Sequence, residues 1–420
     1  MFEKGCNLHY CSPSHGGWGV VRMGMLVPES YQLFVCPFAC GRHGAIGAIK
    51  QGYKDRLSYL YIDETDIVSG SYEDLIVEAC AELLEVLEPC PKVLMIFVSC
   101  LDDLLVTDHE AFLSRLREKH PEVKFTVCHM NPISLDSEIP PSVNIQCKMF
   151  GLLDSSTSAK VPETMAFYGN NVPLDPAGEI FAFLKAAGFS RFLHIAEAES
   201  FKAFQEMAEV KLNLVVNPIG LRAARENKNR LGIDYLYLPQ SYQFSEIIAS
   251  YRELMEKMFS VPDTAFDFSS YKRETEAELY LALSALGQLP IIIDSSATVR
   301  PFSLARLLLD YGFNVIEVFA EECPEREQEH FAWLQENAPL LKFTQPEHPR
   351  SPLIRQEPQD ILAIGFEGAY LTGAKYIVDL VADETLYGFH GIGKLARLLI
   401  SAAEKRVELE DLLNDYGLVV

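Results

Sequence analysis

The stretch KVLMIFVSC at 92–100 decides the fold, because it is a short apolar run that ends on a serine and a cysteine. An apolar run of this length, bounded by polar residues, predicts a strand that is buried on both faces. The helix-like segment DHEAFLSRLREKH (108–120) follows it, and a second apolar run, KFTVCHM (124–130), comes next. Buried strands that alternate with helices predict a parallel sheet with helices on its faces.

The same alternation of apolar runs and helical segments returns twice farther along the chain, around 190–239 and around 288–382. The predicted fold class is therefore α/β, with three Rossmann-like domains whose parallel sheets are flanked by helices. We predict an N-terminal domain at 1–153, which carries the clustered cysteines, a middle domain at 154–270 and a C-terminal domain at 271–420. Ligands of such sheets bind beyond the carboxyl ends of the strands.

The composition fits a protein with a large buried core and argues against two classes of partner. Of the 420 residues, 49% are hydrophobic and 23% are charged, and the formal net charge is −23. Phosphates of nucleic acids and anionic membrane surfaces repel such an acidic chain, so neither is an expected partner. The sequence has no apolar run of about 18 or more residues, and MFEKGCNLHY (1–10) lacks the apolar core of a signal peptide. We therefore expect a cytoplasmic protein.

The distribution of the cysteines indicates a function in the N-terminal third. Nine of the ten cysteines precede residue 150, and only Cys323 follows it. A reducing cytoplasm disfavours a disulfide framework. In CPFACGRHG (36–44), Cys36 and Cys40 are one residue too far apart for a Cys-x2-Cys redox pair. No second close pair is present to complete a tetrahedral zinc site, so the interpretation as a zinc site is weak too.

Four cysteines stand where the sulfur ligands of an iron–sulfur cluster would converge. Cys11 precedes a glycine-rich turn, Cys36 and Cys40 follow an apolar strand-like run, and Cys100 ends a predicted strand at its carboxyl edge. Four further cysteines are interpreted as structural: Cys80 in an amphipathic helix, Cys90 as a buried loop thiol, and Cys128 and Cys147 in strand-like runs.

Together these segments resemble the nitrogenase component 1 family, which includes the dinitrogen-reducing subunits and the dark-operative tetrapyrrole reductases. The resemblance rests on three cysteine-bearing elements: YCSPSHGGWGVV (10–21), CPFACGRHG (36–44) and VSCLDDLLVTDHEAF (98–112). In the third element Asp108 lies near the acidic position of the family. The similarity continues in three later segments, at 212–242, 291–315 and 387–399.

The resemblance implies one subunit of a nitrogenase-like reductase. In this family an iron–sulfur cluster lies at a subunit interface, and the matching ligands here are Cys11, Cys40 and Cys100, with Cys36 as a candidate fourth thiolate. The cluster would be of the [4Fe-4S] or the [8Fe-7S] kind, and a second metallocofactor is compatible with the family. The implied partners are a second component 1 subunit, identical or paralogous, in a dimer or heterotetramer, and an ATP-dependent iron protein that delivers electrons.

The sequence departs from the dinitrogen-reducing members in two places. No cysteine lies between residues 150 and 320, and no loop resembling Met-His-Ser-Trp precedes GFHG (388–391). We therefore do not expect dinitrogen as the substrate. The segment GFHGIGKL (388–395) has the spacing of a phosphate-binding loop, but Leu395 replaces the Ser or Thr that binds Mg²⁺ there. ATP binding at this segment is not expected.

His129, at the end of a predicted strand, is a candidate proton donor near a substrate, and the alternative is a polar residue that only ends the strand. His15 and Arg42 lie in the cysteine-bearing loops, where they would tune a cluster rather than react. Two other functions stay open. In the first, the chain is a scaffold on which a metallocluster is assembled. In the second, it is a Rossmann-type binding or transferase protein without a cluster.

Overall fold

The computed structural model describes most of the chain. The described residues are 8–11, 19–38, 40–41, 45, 48–49, 52–130, 139–154, 160–258, 266–354, 357 and 359–415. The strands within them are β1 (Ser30–Cys36), β2 (Leu57–Tyr61), β3 (Val93–Val98), β4 (Lys124–His129), β5 (Val161–Tyr168), β6 (Arg191–Leu193), β7 (Val210–Val215), β8 (Asp234–Tyr237), β9 (Ile291–Asp294), β10 (Val315–Phe319), β11 (Lys342–Thr344), β12 (Gln359–Ile364) and β13 (Ala374–Val378).

The strands of the described part of the chain form three sheets, and the strands in each sheet run parallel. The strand orders are β2-β1-β3-β4, β6-β5-β7-β8 and β11-β10-β9-β12-β13. In each sheet the chain begins near the middle and later strands are added on both sides, which requires crossover connections. The predicted α/β class with parallel sheets is confirmed.

Helices supply these crossovers. The α-helices of the described residues are α1 (Gly19–Gly24), α2 (Glu64–Ser69), α3 (Tyr72–Val86), α4 (Cys100–Leu105), α5 (His109–Lys119), α6 (Pro141–Gly151), α7 (Glu179–Ala186), α8 (Phe201–Gln205), α9 (Leu221–Leu231), α10 (Phe244–Met258), α11 (Phe268–Leu286), α12 (Pro301–Asp310), α13 (Gln328–Asn337), α14 (Glu367–Thr372), α15 (Gly388–Glu404) and α16 (Leu409–Asp415). Short 3₁₀ turns lie at Lys54–Arg56, Ile195–Glu197, Glu206–Ala208, Pro218–Gly220, Glu325–Glu327 and Ser351–Leu353.

The chain divides into two compact units. One comprises Met1–His15, Val172–Gly188 and Leu238–Val420 and contains the five-stranded sheet. The other comprises Gly16–Asn171 and Phe189–Tyr237 and contains both four-stranded sheets. The predicted bounds of three domains follow the three series of apolar runs along the chain instead. They stay a prediction.

Strand β3 shows why the stretch at 92–100 decides the fold. All six of its residues are buried, and they alternate between two apolar clusters. Val93, Met95 and Phe97 pack in one cluster, whereas the residues between them pack in the other. Burying one large apolar side chain contributes about 1.5–3 kcal/mol to the free energy of folding. This strand therefore contributes a sizeable part of the free energy that stabilises the sheet.

One segment with a strand-like pattern is a helix. The pattern predicts a strand for NIQCKMF (144–150), but this segment lies in α6, so that prediction was wrong. Ile145 and Met149 are both buried. They are four residues apart, a spacing that places two side chains on the same face of a helix. Pro141 at the first position favours a helix start, because its fixed φ suits the first turn.

Helices α6 and α9 pack against β5 in the unit with two sheets. The ring of Phe150 stacks on that of Tyr168, with 3.8 Å between the centroids. Asn227 donates a hydrogen bond to the Tyr168 hydroxyl at 3.0 Å, and Arg230 donates to the Phe150 carbonyl at 2.9 Å. None of the helices that the structure describes is both long enough and apolar enough to cross a bilayer.

Candidate functional site

The carboxyl edge of the first sheet gathers the residues that the sequence singles out. Cys36 is the last residue of β1, Cys100 is the first residue of α4 after β3, and His129 is the last residue of β4. In the parallel register Val98 pairs with both Val35 and His129. Because parallel strands end at one edge, the carboxyl ends of these three strands meet there.

Cys36 is fully buried at this edge. Its side chain belongs to the apolar cluster that also contains Phe34 and Phe97. Burial, with a smaller contribution from the nearby Cys40, raises the pKa of the Cys36 thiol to about 12. The thiol is therefore protonated at neutral pH unless a metal replaces the proton. A Cβ at Gly41 would lie 3.4 Å from the Cys36 sulfur, so the backbone at Gly41 passes close to this thiol.

Cys40 and Cys100 come together from two different connections. Cys40 is exposed and helical, and its backbone N–H donates to the Pro37 carbonyl at 3.0 Å, which makes a tight turn after β1. Cys100 is partly buried. Partial burial raises the pKa of the Cys40 thiol, and the neighbouring Cys100 raises it further. A thiol that resists ionisation beside a second thiol is suited to share a cationic group with it.

Two buried hydroxyls beside these thiols have no hydrogen-bond partner among the described residues. The Ser99 hydroxyl precedes Cys100, and the Tyr59 hydroxyl lies on β2 next to Cys36. Neither makes a hydrogen bond within the described part of the chain. Buried donors without partners cost free energy unless a bound group accepts their hydrogen bonds. Thiols and unpaired donors at one sheet edge therefore fit an iron–sulfur group, whose sulfides accept hydrogen bonds.

Cys11 belongs to the other compact unit, where it is exposed. The residue before it is anchored, because the Tyr10 N–H donates to the Glu347 carbonyl at 2.7 Å. The predicted role of Cys11 as a ligand stays a prediction. His15 and Arg42, the predicted tuning residues, lie outside the described residues.

His129 does not stand alone at the sheet edge. Its Nδ1 lies 3.3 Å from Asp103 Oδ1, and its ring centroid is 5.2 Å from that of His109. The Nε2 of His109 is 2.6 Å from Oδ2 of Asp102, which is 1% exposed. Burial lowers the pKa of His129, and the negative charge of Asp103 opposes that change.

Sequence reasoning missed His109 and Asp102 as partners of His129. The available signal was the polar segment DDLLVTDH (102–109), which follows a buried strand and brings two acidic groups and a histidine to the sheet edge. Asp108, by contrast, caps α5, because its carboxylate accepts the Ala111 N–H at 3.1 Å. Its role in this structure is thus to start a helix.

The other cysteines divide between core and surface. Cys80 and Cys128 are fully buried, and burial raises the pKa of each thiol to about 12. Cys147 is partly buried on α6. Cys90 is exposed, so its interpretation as a buried loop thiol was wrong. It lies in the loop that leads into β3, which the apolar pattern of the strand does not cover.

The segment GFHGIGKL (388–395) is helical rather than a loop, since α15 begins at Gly388. The first turn already holds an anion from the protein. The buried Glu179 carboxylate accepts the N–H groups of Phe389 at 2.7 Å and His390 at 2.9 Å. A phosphate would have to displace this carboxylate, which agrees with the expectation that ATP does not bind here.

This chain is similar to known proteins of one family. A family model described as nitrogenase component 1 type oxidoreductase matches residues 17–403. The solved structure titled "Nitrogenase Cp1 at pH 6.5" superposes with a TM-score of 0.68 at 14% identity, over 96% of this chain and 94% of that chain. Another, titled "Nitrogenase Cp1 at pH 5", gives a TM-score of 0.63 at 12% identity, over 96% and 90% of the two chains. No curated protein matches the sequence.

Proposed function

The chain belongs to the nitrogenase component 1 type oxidoreductases, and from that premise we propose that it is a subunit of a nitrogenase-like reductase that holds an iron–sulfur cluster through Cys40 and Cys100. One observation carries the proposal. Cys40 follows β1 and Cys100 follows β3, and these two strands are parallel neighbours, so both thiols reach the same carboxyl edge of the sheet. Cys100 also raises the pKa of the Cys40 thiol. Such an edge is where ligands of parallel sheets bind.

The remaining ligands follow from the family resemblance and the chemistry. Cys11 is proposed as the third thiolate, and Cys36 stays a candidate for a fourth. A cuboidal cluster needs more thiolates than Cys11, Cys40 and Cys100 supply, so a second component 1 subunit would complete it. An iron–sulfur cluster, whether [4Fe-4S] or [8Fe-7S], supplies one-electron transfer when it is bound.

Exposed apolar side chains around the cysteines support a partner subunit at this edge. Phe38 and Tyr61 are exposed beside Cys36, with their ring centroids 4.9 Å apart. Leu104 and Val106 are exposed beyond Cys100. Large apolar side chains that gather around a functional edge are typical of an interface core. We propose that a second subunit, identical or paralogous, covers them in a dimer or heterotetramer.

The chain's own residues would bind and shield the cluster. Cys40 and Cys100 supply thiolates, the hydroxyls of Ser99 and Tyr59 offer hydrogen bonds, and the packed strand ends exclude water from one side. Electrons would come from an ATP-dependent iron protein and pass to a substrate or second metallocofactor. Because no cysteine lies between residues 150 and 320, dinitrogen is not proposed as the substrate. A reducing compartment such as the cytoplasm would keep these thiols free.

Reduction by an iron protein tests this function. Protein purified without oxygen is mixed with a dimeric iron protein, dithionite and either MgATP or MgADP, and EPR spectra are recorded. The proposal expects a reduced-cluster signal that develops with MgATP and not with MgADP. A cluster that is never reduced in an ATP-dependent way, but whose iron moves to an acceptor apoprotein, would favour the alternative of a metallocluster-assembly scaffold.

A further inference from the structure

We propose that Asp102, His109 and His129 form a binding site for a single divalent first-row transition cation, Zn²⁺ or Fe²⁺, that uses no cysteine. Each residue offers one ligand atom, and the three atoms lie within 4.8 Å of one another. Two imidazoles and one carboxylate are a donor set that zinc and ferrous iron both accept. This site goes beyond the proposed cluster and its electron transfer.

Two neighbouring side chains hold the ligands in place. The Tyr72 hydroxyl donates to Asp102 Oδ1 at 3.1 Å, which occupies one carboxylate oxygen and leaves Oδ2 toward His109. Asp103 Oδ1 lies 3.3 Å from His129 Nδ1. Metal-binding histidines commonly give their second nitrogen to a carboxylate, which fixes the orientation of the ring. Because Asp103 contacts Nδ1 of His129, the Nε2 atom of this ring is the one that can bind a cation.

The connection between α4 and α5 brings Asp102 and His109 together. The Thr107 hydroxyl donates to the Asp102 carbonyl at 3.2 Å, and Val106 adopts the left-handed conformation with φ +53°. A β-branched residue in that conformation costs roughly 1–2 kcal/mol. The chain thus adopts an unfavourable backbone conformation in the turn that sets the carboxylate against the imidazole.

A bound cation would replace the proton between Asp102 and His109. Their atoms are 2.6 Å apart, a hydrogen-bond distance. At a tetrahedral zinc, ligand distances of about 2.0–2.2 Å place two ligand atoms roughly 3.4 Å apart, so the two atoms would have to separate by about 0.8 Å. His109 and His129 are partly exposed, so an ion has access to the site. Three protein ligands leave a coordination position for water, as in sites that bind a substrate.

Metal binding is measured by calorimetry on metal-depleted full-length protein that carries Cys40→Ala and Cys100→Ala, so that cluster ligands do not contribute. Zn²⁺ and, without oxygen, Fe²⁺ are titrated in separate arms. We expect one saturable equivalent for at least one cation, and zinc X-ray absorption should show nitrogen and oxygen ligands only. Sulfur scattering, at about 2.3 Å from zinc, would place the ion elsewhere and overturn the proposal.

Variants at the site provide the matched comparison. His129→Ala should abolish the saturable binding, and Tyr72→Phe, which removes only the hydroxyl that holds Asp102, should weaken it by about tenfold or more. His120→Ala, at the end of the same helix as His109, should leave binding unchanged. Circular dichroism melts identify any variant that fails to fold. Absence of saturable binding, or equal binding in the His129 and His120 variants, would mean that Asp102 and His109 are only a hydrogen-bonded pair.

Discussion

The Cys100 thiol lies near enough to Cys40 to raise the pKa of the Cys40 thiol, although the two residues belong to different connections of the first sheet. Neither connection could place both sulfurs alone. Parallel pairing of β1 with β3 brings the two strand ends to one edge and so brings the thiols together.

Gly41 is expected to be required for the backbone path beside Cys40. A Cβ there would lie 2.6 Å from the Tyr59 ring and 3.4 Å from the Cys36 sulfur. Gly41→Ala should therefore shift this backbone, destabilise the protein by about 1–3 kcal/mol and lower its iron content. Urea unfolding and iron analysis measure both effects. The control is Gly151→Ala, where nothing lies within 4 Å of the added atom. Equal iron content in the two variants would contradict a close fit at Gly41.

Ser99 is expected to tune the cluster rather than hold it. Its buried hydroxyl has no partner within the described residues, and it immediately precedes Cys100. A hydrogen bond to a cluster sulfur stabilises the reduced state, so Ser99→Ala should keep the iron and lower the midpoint potential. EPR-monitored redox titration measures this potential, with the exposed Ser114→Ala as control. An unchanged potential in Ser99→Ala would show that the hydroxyl bonds elsewhere.

The start of α15 should depend on Glu179. Its buried carboxylate accepts two backbone N–H groups of that helix and the Tyr251 hydroxyl at 2.7 Å. Glu179→Ala leaves these donors unpaired, so we expect a loss of roughly 3 kcal/mol or more in the free energy of unfolding. Asp267→Ala removes an exposed cap of α11 and should cost only about 1 kcal/mol. Similar losses in the two variants would contradict the role given to burial.

His194 should make the stability of the protein depend on pH. Burial lowers its pKa from 6.5 to about 4, and its neutral ring accepts the Ala196 N–H through Nδ1 and lies 3.1 Å from the Asn170 carbonyl through Nε2. The unfolded state binds the proton more strongly, so the stabilisation is complete above pH 6.5 and is lost as the pH falls toward 4. At about 1.4 kcal/mol per pH unit, the full loss is roughly 3 kcal/mol.

Thermal or urea unfolding of His194→Gln measures this contribution. The variant should lose less stability than the wild type between pH 6.5 and 4.5, and His120→Gln should follow the wild type. Lowered carboxylate pKa values, such as that of Glu246 at about 2, act at lower pH and do not fill this window. Parallel pH profiles for the wild type and His194→Gln would rule out a neutral buried imidazole.

The sequence was most informative where burial sets the pattern. An apolar run such as that of β3 is recognisable because both faces of a central parallel strand are buried, and the edge that Cys100 and His129 share follows from that assignment. Single side chains were harder to predict. Cys147 lies in a helix because Ile145 and Met149 share a buried face. Within only seven residues, the pattern of apolar residues hardly distinguishes such a helix from a strand.

The pairing of Asp102 with His109 was not predictable from the strand pattern. It depends on the turn at Val106, whose left-handed conformation is unusual for a β-branched residue. The same holds for Glu179 at the start of α15, since the two segments are far apart in sequence and meet only in the folded unit. The contact between Glu179 and α15 leaves no local signal in the sequence.

Iron and acid-labile sulfide content, measured with EPR on protein purified without oxygen, tests the central claim most directly. The comparison is the Cys40→Ala and Cys100→Ala double variant, with Cys80→Ala as a control for loss of a buried thiol. We predict about two to four iron atoms per chain in the wild type and the Cys80 variant, and loss of iron in the double variant. A folded wild-type protein without iron, or a double variant that keeps all of it, would contradict the assignment of Cys40 and Cys100 as cluster ligands.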